Sequence, residues 1–508
     1  MNDCLFVTNA ANASLSALGA TASSIRRLGF SRRRWLLHGA QAAPGWLRRR
    51  GITVGDDPGA EWVVFLPAGD RVTREAVRAM REVPADVDVI YGDTLHDIER
   101  ADRMPTYQRR PGRSPERLRS HDYIGGFVIA RRRLVDALGG VDRLAAADSH
   151  DRNLRLFDAT ERVCRVPEIL NVTPDTNLLP QANATAVSDH LLRRGIDATV
   201  QFDPDTPRVR VCRRLTRRPL VSVVIPTRGA SAEVRGESVP LVVHAVRSLL
   251  ERSTYRELEF VVVADSPTPP SVRRQLSDLA GDRLLIVDYD KAFNFALKNN
   301  IGVAHSTGEC ILLLNDDTEI ITPDAFETML AILEDPRVGI VGPMLHFEDR
   351  SIQSAGHVFT PDPTDMYRLQ PADVRGAHNY VRVQREVSSV IAACLLTRRS
   401  VYEEVGGLST QFPGNWNDID FALKVQQAGY QVIFTPYASF FHFESKTRVA
   451  LRIEAEVATL GERWGDILDD DPYFNPRLQR FTNVWRSDFH TDRSYEDALG
   501  PTAPIASK

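Results

Sequence analysis

Cysteine is scarce in this 508-residue chain: Cys4, Cys164, Cys212, Cys310 and Cys394 are scattered, odd in number and without a CxxC pair. They support neither a disulfide framework nor a zinc knuckle and point to a reducing compartment. Long hydrophobic runs are also missing, and no apolar stretch approaches the roughly 20 residues that span a bilayer. A secretory leader is not visible, because the first Arg clusters come after residue 25. The sequence therefore predicts a cytoplasmic protein. A basic excess is absent too: the formal net charge is −4, and no recognised helix or zinc motif accompanies the Arg, so nucleic acid is not an expected partner. No GxGxxG follows a predicted strand, which disfavours a dinucleotide-dependent oxidoreductase.

What is present is the balance of a globular protein, 43% apolar and 26% charged residues, and only five of the 63 basic residues are Lys. The length predicts two to four domains. Residues 1–50 hold eight Arg and one acid, Asp3, and read as a basic N-terminal arm. Within it, Arg26-Arg27, Arg32-Arg-Arg34 and Arg48-Arg-Arg50 alternate with Leu28, Phe30, Trp35, Leu36, Leu37 and Trp46. That mixture suits an ordinary solvated surface or peripheral contact of residues 25–50 with an anionic membrane, such as the inner face of the plasma membrane. Pro204, Pro207 and Pro219 with six Arg place an Arg/Pro linker at 206–219. The resulting boundaries are 1–50, 51–205, 206–219, 220–450, and 451–508, the last a C-terminal helix over about 450–470 and a loose tail at 495–508.

After the linker, Leu220–Pro226 is an apolar run of the buried parallel-strand type. Helical periodicity over Val239–Arg252 leads to a strand at Leu258–Ala264, a helix at 271–281, a strand at Arg283–Asp288, a helix at 292–304 and a strand at Cys310–Leu314. This alternation predicts an α/β domain with a largely parallel sheet, whose ligands bind beyond the carboxyl ends of the strands. Three such ends are polar: Thr227-Arg228, Asp265-Ser266 and Asn315-Asp316-Asp317.

The chain also repeats itself. Phe65–Asp70 resembles Leu313–Asp317, Tyr123–Arg131 with Gly139-Gly140 resembles Ile391–Arg398 with Gly406-Gly407, and Val166-Pro167 matches Thr435-Pro436. Asp151 and Asp418 each sit eleven residues after their Gly-Gly. The two stretches read as one fold used twice, the first copy lacking a counterpart of the 220–226 strand. Pro67 and Gly69 stand where the second copy has Asn315 and Asp317, Thr173 stands for His442, and Asn153 for Asp420. The first copy is therefore expected to be a non-catalytic scaffold.

Adjacent acids such as Asp316 and Asp317 repel unless a cation or donors compensate. A hard divalent cation shared with a diphosphate does so, whereas turn and helix-cap chemistry explains the same residues without a ligand. Asp418 and Asp420 open an amphipathic helix, where they suit capping, and Asp418 suits a general base. His442, among Phe440, Phe441 and Phe443, is either structural or a ligand completing a cation site with Asp317.

Taken in order, Val221–Thr227, Phe293-Asn-Phe295, Asn299–Gly302, Leu314–Thr318, Ala393-Cys394, Gly406-Gly407, Asn417–Asp420 and Tyr437 through Ser445 resemble family 2 glycosyltransferases of the GT-A fold, those that build O-antigen and other surface polysaccharides. The resemblance covers about 220–450, and more faintly about 60–175. It implies an inverting transferase that uses Mg²⁺ or Mn²⁺ and a UDP- or dTDP-sugar, with rhamnose one candidate, and acts on a glycan acceptor that is lipid-linked. It further implies Asp418 as catalytic base, Asp317 and His442 as metal ligands, and Pro226, Thr227, Arg228, Asp265, Asn299, Asn315, Asp316 and Asp420 as substrate-binding residues. Asn417 stands where the family has Glu, and Ala264 where it more often has the acid that contacts the base. The alternative is a non-catalytic sugar-nucleotide or glycan-binding module.

Overall fold

The computed structural model describes all residues except 1–3, 29, 31–32, 41–42, 97–105, 175–181, 204–205, 207, 361, 444–453, 481 and 487–508. Glu444-Ser445 and the 495–508 tail thus lie outside the described residues.

One sheet is built from β1 (Cys4–Asn9), β2 (Arg34–His38), β3 (Thr53–Val54), β4 (Trp62–Phe65), β5 (Arg71–Val72), β6 (Val89–His96), β7 (Thr106–Gln108), β8 (Val128–Arg131) and β9 (Val163–Thr173). Its order is β3-β2-β1-β4-β8-β6-β9-β5, with β7 paired to β6. A hairpin, β10 (Ala198–Asp203) with β11 (Arg208–Arg213), separates it from β12 (Val221–Thr227). There follow a small hairpin, β13 (Ser231–Val234) and β14 (Glu237–Pro240), then β15 (Leu258–Asp265), β16 (Leu284–Tyr289), β17 (Cys310–Leu314), β18 (Thr318–Ile320) and β19 (Val338–His346). The remainder are β20 (Ile352–Ser354), β21 (His357–Phe359), β22 (Pro363–Asp365), β23 (Arg385–Glu386), β24 (Cys394–Arg398) and β25 (Gln431–His442). The second sheet runs β16-β15-β12-β17-β24-β19-β25-β18, with β20 on β19 and β23 on β25. Place for place the two orders coincide, and so do the parallel and antiparallel senses of the paired strands.

The apolar runs explain the centre of each sheet. Val221, Val223 and Ile225 of β12 enter the core under the helix Leu241–Arg252, while Val224 enters the core on the opposite face. With both faces covered, the strand needs no polar alternation. In β1, Cys4 and Phe6 face one core, and Leu5 and Val7 the other.

Three sequence expectations are corrected here. Residues 1–50 are not an arm, because β1, the helix Leu15–Arg27 and β2 belong to the first sheet and its cover. Leu28, Phe30, Trp35, Leu37 and Leu47 are all buried in its core. Apolar side chains spent on that core cannot also enter a membrane, so the contact expected through 25–50 loses its physical basis. β1 is also the expected-missing counterpart of β12. The segment lacking in the first half is instead a helix: Phe295–His305 precedes β17, whereas only residues 55–61 lie between β3 and β4. Finally, the linker assigned to 206–219 is not free of structure, because its residues Arg208–Arg213 are β11, paired with β10.

The C-terminal segment joins the halves. Asn475 Nδ2 donates to both oxygens of the buried Asp93, at 2.9 and 3.2 Å, alongside Arg109 at 3.0 Å. Glu386 accepts from the Glu116 backbone N–H at 2.9 Å and from the Ser114 hydroxyl. No helix among the described residues is long and apolar enough to cross a membrane.

Candidate functional site

The site lies at the carboxyl ends of β12, β15 and β17. β12 leaves the sheet at Pro226-Thr227, and the Thr227 hydroxyl donates to Asp316 Oδ2 at 2.6 Å while accepting from the Gly229 N–H at 2.9 Å. Arg228, next in sequence, is exposed and adds positive charge near Asp316. From the helix Phe295–His305, Lys298 reaches under this turn. Its Nζ donates to the Thr227 carbonyl at 2.8 Å and to Asp265 Oδ1 at 2.7 Å. Burial lowers the Lys298 pKa against the pull of Asp265. The adjacent Asn299 is fully buried and donates to the Phe295 carbonyl at 2.9 Å, leaving its Oδ1 without a partner.

Asn315-Asp316-Asp317 follows β17. Burial, then the charge of Asp317, pushes Asp316 up to about 7. Burial opposes the Asp317 carboxylate as well, but His442 outweighs it and holds that pKa below its ordinary value. The pairing Thr318↔His442 at the end of β25 delivers the imidazole, whose Nε2 is 3.1 Å from Asp317 Oδ1 and 3.2 Å from Asn315 Nδ2. Its Nδ1 donates to Gln353 Oε1 at 2.7 Å, which leaves Nε2 as the nitrogen able to face a cation. Asn315 Oδ1 is buried and unpartnered.

These residues fit a hard divalent cation. A carboxylate and an imidazole are an acceptable donor pair, and an orphaned amide oxygen and a half-neutralised neighbouring acid border them. No group of three or more His, Cys, Asp or Glu suited to a metal occurs among the described residues, so further ligands would come from a bound diphosphate.

Asp418 is the second residue of the helix Asn417–Gln427. Its carboxylate accepts from the backbone N–H of Ala392 at 3.2 Å and of Ile419 at 2.9 Å. The 391–394 turn connects it to the acidic motif, because the Asn315 N–H donates to the Ala393 carbonyl at 3.0 Å and Leu314 pairs with Cys394. Burial raises the Asp418 pKa; the positive field of His357 and the two N–H donors offset part of that rise. His357 lies 3.3 Å from Asp365, which keeps its pKa raised despite burial. Just before the helix, Trp416 adopts a left-handed conformation (φ 61°, ψ 2°). A bulky side chain there costs about 1–3 kcal/mol, the kind of strain that gathers at functional sites.

Asp420 stands apart from the other nominated residues. It is fully buried, with Oδ1 accepting from Arg463 Nη1 at 2.6 Å and Trp464 Nε1 at 3.0 Å, and with Lys424 3.6 Å from Oδ2. It therefore neither caps its helix nor faces a substrate, but fastens the helix Glu454–Asp469 to the site. Sequence reasoning missed Lys298, Gln353, His357 and Asp365. Lys298 carried a signal, as a rare Lys in an otherwise apolar helical turn of an Arg-rich chain. The other three carried none, because they meet the site only through the hairpins of residues 352–365.

In the first half the equivalent positions are closed. Asp151 is paired with Arg155 at 2.8 Å and Arg193 at 3.5 Å. Asp70, beside Gly69, accepts from Asn171 Nδ2 at 2.6 Å. Arg110 is fully enclosed and donates to the Tyr123 carbonyl at 3.0 Å, Thr94 Oγ1 at 2.7 Å and Gln108 Oε1 at 3.1 Å.

Residues 222–406 match the family described as Glycosyl transferase family 2. The chain is 29% identical over 389 residues to the O-antigen biosynthesis protein RfbC of Myxococcus xanthus, covering 73% of this chain and 30% of that protein. It is also 29% identical over 420 residues to the uncharacterized protein y4gI of Sinorhizobium fredii (strain NBRC 101917 / NGR234), covering 77% of this chain and 45% of that one. The chain thus spans less than half the length of these relatives. Among solved structures it is similar to a mannosyltransferase of Pyrobaculum calidifontis in complex with GDP-Man and Mn²⁺, at 24% identity and a TM-score of 0.34, covering 46% of this chain and 59% of that one.

Proposed function

Since residues 222–406 carry a glycosyl transferase family 2 domain, we propose that the chain transfers a sugar, with inversion, from a nucleoside-diphosphate donor to a hydroxyl of a growing surface polysaccharide. The observation that carries this reading is the meeting of Asp317 and His442 with Asp418 around the 391–394 turn. The relative named for O-antigen biosynthesis supports the polysaccharide context.

Thr227, Arg228, Lys298 and Asp265 line the approach to the nucleotide, with the Lys298–Asp265 pair fixing the ends of β12 and β15. Asp317 and His442 would hold Mg²⁺ or Mn²⁺, which when bound supplies positive charge to the leaving diphosphate. Asp418 accepts the proton of the acceptor hydroxyl. The oxygen so freed forms the new bond to the anomeric carbon, while the anomeric carbon–phosphate oxygen bond breaks and its electron pair leaves with the diphosphate. A base of this kind contributes about 10²–10⁴ in rate. Its raised pKa suits the role, because a carboxylate closer to neutrality accepts a proton more readily.

Calorimetric titration of UDP, dTDP and GDP with and without Mn²⁺ tests the donor site. Metal-dependent binding of one nucleotide that is lost in Asp317→Ala is expected. Folded protein that binds none of them would overturn the transferase reading and leave a non-catalytic glycan-binding module, with the acids as turn and cap residues.

A further inference from the structure

Trp416, two residues before Asp418 in the chain, lines a cavity that none of the residues assigned to the donor lines. It measures about 190 Å³ and is walled by Trp416, Pro363, Leu460, Gly461, Gly465 and Leu468, with Asp362 and Asp469 at its rim. Both acids are exposed. Gly461 and Gly465 stand one turn apart on the helix Glu454–Asp469, and a Cβ added to either would meet nothing within 4 Å. The helix is therefore bare where it faces Trp416, and the bareness comes from the two residues whose replacement costs no clash.

The opposite wall is built and held. Glu456, itself 2% exposed, accepts from the backbone N–H of Gly414 at 2.8 Å and of Asn415 at 3.2 Å, and from Asn415 Nδ2 at 3.0 Å. Arg463 bonds Gln411 on the same loop and Asp420 below it. These ties hold the loop whose last residue is Trp416, in its left-handed conformation, with its Nε1 buried and unpartnered. A strained backbone and an unsatisfied indole both cost stability, and both occur two residues before Asp418.

We propose that this cavity is the acceptor subsite and takes one neutral pyranose ring, its face against the Trp416 indole and its hydroxyls donating to Asp362 and Asp469. The proposal rests on reading Asp418 as the base. The volume is well under the about 300–1,000 Å³ of a pocket that encloses a drug-sized ligand, so it admits a single sugar residue. Rim carboxylates accept hydrogen bonds from hydroxyls and repel anionic groups, which selects a neutral sugar over a uronate or a sugar phosphate. An aromatic wall with a few polar groups at its edge is the composition of a site that buries an apolar ring face and orients it by its hydroxyls.

The test is saturation-transfer NMR on the full chain, with methyl glucoside, galactoside, mannoside and rhamnoside as probes. Gly465→Leu fills the cavity from a helix position where Leu is the better helix former, so the fold is kept. Signal from at least one glycoside is expected in the unmodified protein, reduced at least about tenfold in Gly465→Leu and retained in Asp317→Ala and Asp418→Asn. Nucleotide binding in Gly465→Leu should stay within about twofold of the unmodified protein. Absence of signal from every glycoside, or signal that survives Gly465→Leu, overturns the subsite. A subsite that behaves as expected beside an Asp418→Asn variant with unchanged transfer would sink the base assignment alone.

Discussion

The two halves of this chain share a strand order and differ in everything that makes a site. Both sheets have an apolar central strand covered on both faces, β1 in one and β12 in the other, and both continue through the same sequence of parallel and antiparallel neighbours. At the ends of those strands the second half keeps Asp317, His442 and an Asp418 held by two backbone N–H groups. The first half has Gly69 and Thr173 at the first two positions, and an Asp151 bound to two Arg. It also has no helix between β3 and β4, and so lacks the element that carries Lys298 in the second half. A sheet tolerates such loss because its stability comes from burial of many interchangeable apolar residues, whereas a site depends on a few polar groups in one geometry.

The sharpest test of that contrast is the paired change of the two equivalent acids. Asp418→Asn should lower the transfer rate by about 10²–10⁴-fold, while Asp151→Asn leaves it within about twofold. Steady-state rates with nucleotide binding measured alongside check both. Equal losses would mean that the first half takes part in the chemistry.

Next in size is the count of donor sites. Metal-dependent nucleotide binding should saturate at one per chain and vanish in Asp317→Ala, and Gly69→Asp combined with Thr173→His should not add a second, because Arg110 fills the first half's polar centre. Two nucleotides per chain would break the comparison. Lys298→Met removes the buried ammonium that ties Asp265 to the Thr227 turn. Hydrogen bonds to charged groups contribute about 1.5–3 kcal/mol, so nucleotide affinity should fall about 10- to 100-fold, as read by calorimetry.

Acid should act on both the rate and the join between the halves. With the Asp418 pKa raised by burial, transfer should be lost as pH falls through a midpoint above the ordinary value of 3.8. His357→Gln removes positive charge near that carboxylate and should move the midpoint higher still, which a pH–rate profile reads directly. Glu116 is buried too, but Arg213 and Arg119 hold its pKa down at about 2 against an ordinary 4.5. A depressed carboxylate stabilises fully above its unfolded value, so the contact that the Glu116 carboxylate makes across the halves with Gln384 should weaken between about pH 4.5 and 2. Acid titration followed by tryptophan fluorescence and calorimetry checks this. The smallest effect is on stability at Asp151, where losing partly exposed ion pairs should cost under about 1 kcal/mol in chemical denaturation.

Much of the second half was legible because its signals are local. Cys310–Leu314 reads as a strand and folds as one with the same limits, and the polar residues at its end announce a site. The first half was misread for a physical reason: Arg-rich composition disguised β1, β2 and their helix, since charges can project outward while Phe30, Trp35 and Leu47 go in. Asp420 was misread because a carboxylate at a helix start looks the same in sequence whether it caps, binds substrate or, as here, anchors Arg463 and Trp464 of a helix over 30 residues away.

By itself the sequence determined the α/β alternation, the repeat and the acids and histidine of the second half, because apolar periodicity and polar strand ends are written within a few residues of one another. Tertiary structure alone decided that the Arg-rich start is a sheet, that Lys298 and Gln353 support the candidate site, and that a bare helix face meets Trp416. Those facts depend on which distant segments pack together, and packing is a property of the whole folded chain rather than of any window along it.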